Sequence, residues 1–211
     1  MQLAISTATA ACSVALLDGQ TIVDERHEVV GRGHAERLVP MIASLPGNGR
    51  AASILVDCGP GSFTGVRVGV AAARALALAW QVPLHGVSTL SLIAAGLDPD
   101  VAEDNIAVAI GGGHGEFFIQ QFSRHPLAPT TDLSSLKPEQ AAIAVTANLI
   151  LGSSAPALVE LRGSGRAIDA LPRAADARLL PQSLRQLPPT PIYGREPDAK
   201  PPSKPCTSRP A

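Results

Sequence analysis

Apolar positions come in short blocks at the start of the chain and then take up helical spacing. Residues 2–5 and 11–17 are aliphatic strand blocks, Asp18-Gly19 is a hairpin turn signal, and Thr21–Val29 continues as a third strand. After Gly33, the positions Leu38, Met41, Ile42 and Leu45 share one helical face, with Pro40 a point of kinking. Residues 46–50 form a loop. Ile54-Leu55-Val56 then runs into the turn Asp57-Cys58-Gly59-Pro60-Gly61, which opens an alanine-rich helix capped by Ser62 or Thr64 and ended by Pro83. Another strand and helix start fall in residues 83–92. Hairpin strands followed by alternating helices and strands predict an α/β protein with a mixed sheet flanked by helices.

Past that point the pattern thins. Residues 99–105 read as a boundary, and 105–110, 115–122, 141–145 and 149–151 as strands of a smaller second lobe. A short helix is expected at 171–180, and the chain is rich in proline after Leu187. These readings divide the chain into lobes at 1–100 and 101–187 and a tail at 188–211. No internal repeat is visible.

The turn at Gly59, Pro60, Gly61, Ser62 and Thr64 admits two roles. Free N–H groups at a helix N-terminus can cradle an anion, but no Gly-Lys-Ser/Thr follows, so a nucleotide loop lacks its lysine and its magnesium-binding hydroxyl. The other role is a tight strand-to-helix connection. Gly65, Gly69, Ala73 and Ala77 then recur every four residues, a stripe nearly devoid of side chain. Each helical glycine costs about 1 kcal/mol relative to alanine, a cost that makes sense where another backbone must come close. That backbone belongs either to the chain's own sheet or to a partner helix.

The run from Gly59 to Gly69, Gly-Pro-Gly-Ser-Phe-Thr-Gly-Val-Arg-Val-Gly, closely resembles the signature of the TsaB (YeaZ) family. Residues 3–16 are similar to that family's opening hairpin, 34–42 to its first helix, and 191–200 to its Tyr-x-Arg-x-x-Asp-Ala-Lys run. The resemblance is nearly continuous over residues 1–95 and loose over 100–190. It implies a two-lobed actin-like and sugar-kinase-like fold built on ribonuclease-H-like units. It also implies a cytoplasmic, non-catalytic scaffold for threonylcarbamoyl transfer to the adenosine next to the tRNA anticodon. Its implied partners are the catalytic paralogue TsaD, the ATPase TsaE and, alone, a second copy, with tRNA met only through the complex. The partner surface implied lies on residues 34–45 and 64–80, with His34, Leu38, Met41, Gly65, Arg67, Gly69, Ala73 and Ala77 as its candidates. The alternative is an enzyme acting alone, as a weak nucleotide hydrolase or a glycoprotease.

Composition agrees with a globular protein whose interior is aliphatic: 45% of residues are hydrophobic and only 3% aromatic. Cys12, Cys58 and Cys206 are widely spaced, which suits reduced thiols and neither a disulfide framework nor a zinc site. No basic residue precedes the first apolar stretch, so no signal peptide is expected. No uninterrupted apolar run reaches 18 residues, and no membrane span is expected. Net charge is −1, but residues 1–161 are acidic and 162–211 basic; Tyr193 is the one aromatic residue there, so no series of rings interleaves to stack bases.

Candidate chemistry is sparse. ATP-using relatives of the superfamily carry an acidic residue at the end of the first strand; here that position is Ser6, which cannot supply the charge a magnesium site wants. Asp57 follows a buried strand, where it could act as a base or form the turn; the turn former is the expectation. None of the five histidines has a second ligand at helical spacing. Gly111-Gly112-Gly113 stand where the family commonly reads Asp-Ala-Arg; three glycines there can make a flexible turn or a second anion-accepting loop, and the flexible turn is the expectation. No catalytic residue, metal or cofactor is expected.

Overall fold

The computed structural model describes residues 1–194. Its first half is a five-stranded sheet in which β1 (Gln2–Ser6), β2 (Ala11–Asp18) and β3 (Thr21–Val29) form an antiparallel meander. α1 (His34–Ala43) leads to β4 (Ser53–Asp57), parallel to β1, and α2 (Phe63–Trp80) leads to β5 (Leu84–Val87), parallel to β4. The strand order is β3-β2-β1-β4-β5. Both faces of β2 are buried, which is why its sequence up to Leu17 is an apolar run broken only by Ser13, whereas β3 lies at the edge and carries the charged Asp24-Glu25-Arg26.

α3 (Thr89–Ala95) passes to a second sheet. There β6 (Asn105–Gly111), β7 (Phe117–Arg124) and β8 (Leu127–Pro129) are antiparallel neighbours, with β9 (Ser134–Leu136) also on β7. α4 (Pro138–Ala144) precedes β10 (Leu149–Leu151), parallel to β6, and α5 (Ala155–Arg162) precedes β11 (Arg166–Ile168), parallel to β10. The order β8-β7-β6-β10-β11 reproduces that of the first sheet. The molecule is therefore two versions of one topology, a repeat that the residues themselves do not display. This is the mixed α/β, paired ribonuclease-H-like arrangement that the sequence predicts.

Two of the expected elements take another form, and β8, β9, α5 and β11 are additional to those expected. Residues 141–145 lie in α4 and its C-cap rather than in a strand: Pro138 occupies the first turn, Glu139 follows it, and only Ala141 of the helix is buried. Proline at the start and an acidic first turn favour a helix over the aliphatic composition. Residues 174–179 form a 3-10 segment, shorter than the helix expected over 171–180.

That segment folds back on the first sheet. Ala174, Ala175, Ala177 and Leu180 are buried against Ala4, Ala15, Leu17 and Leu55, and the Ala174 N–H donates to Ser13 Oγ at 2.9 Å. Further on, Leu187 exchanges two backbone hydrogen bonds with Gly86 of β5, and the Ile192 N–H donates to the Cys58 carbonyl. One face of the first sheet is thus covered by α1 and α2, and the other by α3 and this returning chain.

Candidate functional site

The loop after β4 is organised by one carboxylate. Asp57 is fully buried: its Oδ1 accepts from the Gly59 N–H (2.9 Å) and Thr89 Oγ1 (2.6 Å), and its Oδ2 from Ser6 Oγ (2.7 Å). The Asx turn expected there is present. Burial nevertheless raises its pKa to about 6, against the lowering effect of Thr89, Ser6 and Gly59. Ser6 is therefore a donor to Asp57. An aspartate at position 6 would face a second buried carboxylate.

Within the turn, Gly59 has φ +97°. Gly61 is not left-handed; its requirement is space, since a Cβ would collide with the Ala8 carbonyl oxygen. Ser62 is the N-cap of α2, and its Oγ accepts from the Gly65 N–H at 3.2 Å. Pro60 is buried, and Thr64 is exposed in the first turn of the helix.

The small-residue stripe faces inward. A Cβ on Gly65 would collide with the Thr7 carbonyl oxygen, and one on Gly69 with Thr7 Oγ1, which itself donates to the Gly65 carbonyl (2.7 Å). Ala73 is buried and Ala77 half-buried in the same core. The bare stripe thus seats α2 on the β1–β2 turn of its own chain. The idea that these residues meet a partner helix is corrected for this stripe, because none of Gly65, Gly69 and Ala73 reaches the surface. His34, Leu38 and Met41 are likewise buried beneath α1. Of the candidate partner residues only Arg67 is exposed. What the two helices show outward is a different set: Val39 (61% exposed) on α1, and Phe63 (57%), Ala71, Ala75 and Leu78 (81%) on α2. Positions 71, 75 and 78 repeat with helical spacing, a signal that the sequence displays as plainly as the glycine stripe.

α2 also passes a test of length and composition for a membrane span. Arg67 and Arg74 interrupt its apolar sequence, and its inner face packs on the first sheet.

Between the two sheets, beyond the ends of β1 and β6, lies a cleft of about 850 Å³. Its walls are residues 8–10, the start of α2, residues 110–114 and Ile192-Tyr193. Gly111, Gly112 and Gly113 stand on this wall, and Gly113-His114-Gly115 form a short 3-10 turn. Cys12 and Cys58 are buried, with burial as the main cause pushing their thiols up to about 11 and about 12, so neither is a thiolate near neutrality. Cys206, the Arg195–Lys200 part of the Tyr-x-Arg run and most of the expected tail lie outside the described residues.

Residues 24–163 match the family described as "TsaD: tRNA N6-adenosine threonylcarbamoyltransferase". Among solved structures, YeaZ from Pseudomonas aeruginosa superposes with a TM-score of 0.73 at 31% identity, covering 84% of this chain and 89% of that one. The chain belongs to the TsaB (YeaZ) family. A Pseudomonas aeruginosa structure described as similar to peptidase YeaZ superposes with a TM-score of 0.75 at 29% identity, over 92% of this chain and 99% of that one. The Escherichia coli K12 TsaB, a tRNA threonylcarbamoyladenosine biosynthesis protein, is 37% identical over 127 residues, 58% of this chain and 54% of that protein. The chain spans about half the length of the curated relatives it matches. The signature of the TsaB family at residues 59–69 thus coincides with the turn and helix start that Asp57 and Ser62 organise.

Proposed function

We propose that this chain is a non-catalytic accessory subunit in threonylcarbamoylation of the adenosine next to the tRNA anticodon. It docks on the catalytic paralogue TsaD through the outward faces of α1 and α2. In this reading residues 1–100 form the partner lobe, 101–187 a smaller lobe and 188–211 a tail. The complex also takes in the ATPase TsaE, works in the cytoplasm, and meets tRNA only as a whole. Without TsaD, the same helical face pairs with a second copy.

Kinship with relatives that are named for threonylcarbamoyladenosine synthesis supports the pathway. The observation that carries the docking surface is the set of exposed apolar side chains on these helices, the row ending in Leu78 on α2 and Val39 on α1. Large exposed apolar side chains on two packed helices mark an interaction face, and an inner face locked by Thr7 leaves only the outer one for a partner. The non-catalytic role is supported by Asp57, both of whose oxygens are engaged inside the fold.

Size-exclusion chromatography with TsaD of the same organism tests the reading. The chain is expected to co-elute with TsaD, and Val39→Glu and Leu78→Glu to abolish co-elution and self-pairing while leaving the melting curve unchanged. Co-elution of the double variant at wild-type affinity would sink the proposal.

A further inference from the structure

The cleft between the sheets has a composition of its own. Among its described lining residues there is no Asp or Glu, while Arg67 and His114 both reach it. Arg67 belongs to a flat stack: its guanidinium carbon lies 3.5 Å from the centroid of the Phe63 ring and 5.7 Å from that of Tyr193. The two rings lie 5.6 Å apart, and Arg67 Nε donates to Tyr193 Oη at 3.2 Å, which orients the guanidinium. Phe63, Arg67 and Tyr193 are all exposed. Aromatic residues are only 3% of this chain, yet two exposed ones meet an arginine at the mouth of this cleft.

The opposite wall is nearly bare. Nothing lies within 4 Å of a Cβ built on Gly113, and on Gly111 the nearest atom, Ser154 Oγ, is 3.9 Å away. Neither glycine is left-handed. These glycines are therefore not required by backbone conformation or crowding; what they leave is open space facing the stack.

We infer that this cleft binds an organic anion with a flat aromatic body, without a metal ion. The aromatic body stacks on the Phe63–Arg67–Tyr193 platform, and its phosphate or carboxylate pairs with the guanidinium. The volume is that of a small-ligand site. A magnesium-bound polyphosphate fits poorly, because the described lining residues offer no carboxylate to the cation. A phosphate monoester and an aryl carboxylate share the required chemistry, and the ligand can come from either source.

Isotope-labelled full-length chain is titrated by NMR with AMP, adenosine, inorganic phosphate and indole-3-acetate, each with and without magnesium. AMP, indole-3-acetate or both are expected to shift the amides of residues 61–67 and 111–114, with Kd below about 1 mM. Adenosine and phosphate alone are expected to bind at least about tenfold more weakly, and magnesium to bring no gain. The stronger of the two anions names the source. Gly113→Asp is expected to weaken binding at least about tenfold, while the isosteric Gly113→Asn stays within about threefold of wild type; both should melt like wild type, since the position is open. Arg67→Gln should weaken the anions more than it weakens adenosine, which loses a stacking surface but no ion pair. The inference is overturned if neither anion shifts these amides, if adenosine binds as well as AMP, if binding requires magnesium, or if Gly113→Asp and Gly113→Asn behave alike. It stands apart from docking on TsaD, because none of these measurements needs that partner.

Discussion

Asp57 holds Ser6, Gly59 and Thr89 together, and so joins the end of β1, the turn and the start of α3. Its cost is that a carboxylate with pKa raised to about 6 must be ionised inside the fold at neutral pH. An upward shift means that the folded state holds its proton more tightly than the unfolded one. The stabilising effect of protonation is fully present below pH about 4 and is lost as pH rises through about 6, a span of roughly 3 kcal/mol at most. Asp57→Asn is expected to flatten that part of the pH–stability curve, as read by urea unfolding between pH 4 and 7. A slope equal to wild type would show that another group carries it. Gly61 makes a second residue-scale prediction. Gly61→Ala should destabilise by about 1–3 kcal/mol, seen as a lowered Tm, through the clash with Ala8 and not through φ. A Tm equal to wild type would show that the turn yields.

At the scale of elements, α2 has two faces with opposite duties. Gly69→Leu is expected to unfold the chain or lower its Tm steeply, because the position meets Thr7. Ala75→Glu, on the exposed face, should leave Tm within about 1 °C of wild type. Circular dichroism melts separate the two, and equal effects would contradict the assigned faces. The stripe was legible in the sequence as a close approach, but not the identity of the approaching backbone. Spacing reports that a face is bare, and only the position of the β1–β2 turn says what fills it. Elsewhere legibility followed length. β1 to β5 were readable because their apolar blocks are set off by Asp18-Gly19 and Gly59-Pro60. β8, β9 and β11 are three residues each, too short for a period to show. At the site, Asp57 was visible as a turn former, but its link to Ser6 and Thr89 spans 51 and 32 positions of sequence and leaves no local trace.

For the whole molecule, the two topologically equal halves are not equally self-sufficient. The face of the first sheet that Ala174, Ala175, Ala177 and Leu180 cover has, from residues after 100, only the half-buried Leu127 and Leu184 as further apolar cover among the described residues. A chain ending at residue 168 is therefore expected to show no cooperative thermal transition, although both sheets are present in sequence. Calorimetry with a sharp endotherm near the full-length Tm would refute this dependence. The pairing of Leu187 with Gly86 has a further consequence, for synthesis at the ribosome. β5 is the rim of the first sheet, and its open N–H and C=O groups can recruit a stranger's strand until something covers them. The strands of that sheet are complete by residue 87, yet the strip that shields the rim arrives a hundred residues later. At about 5–20 residues per second, every nascent copy spends several seconds with a sticky border, a window in which crowded polysomes and chaperones, rather than the finished fold, decide its fate.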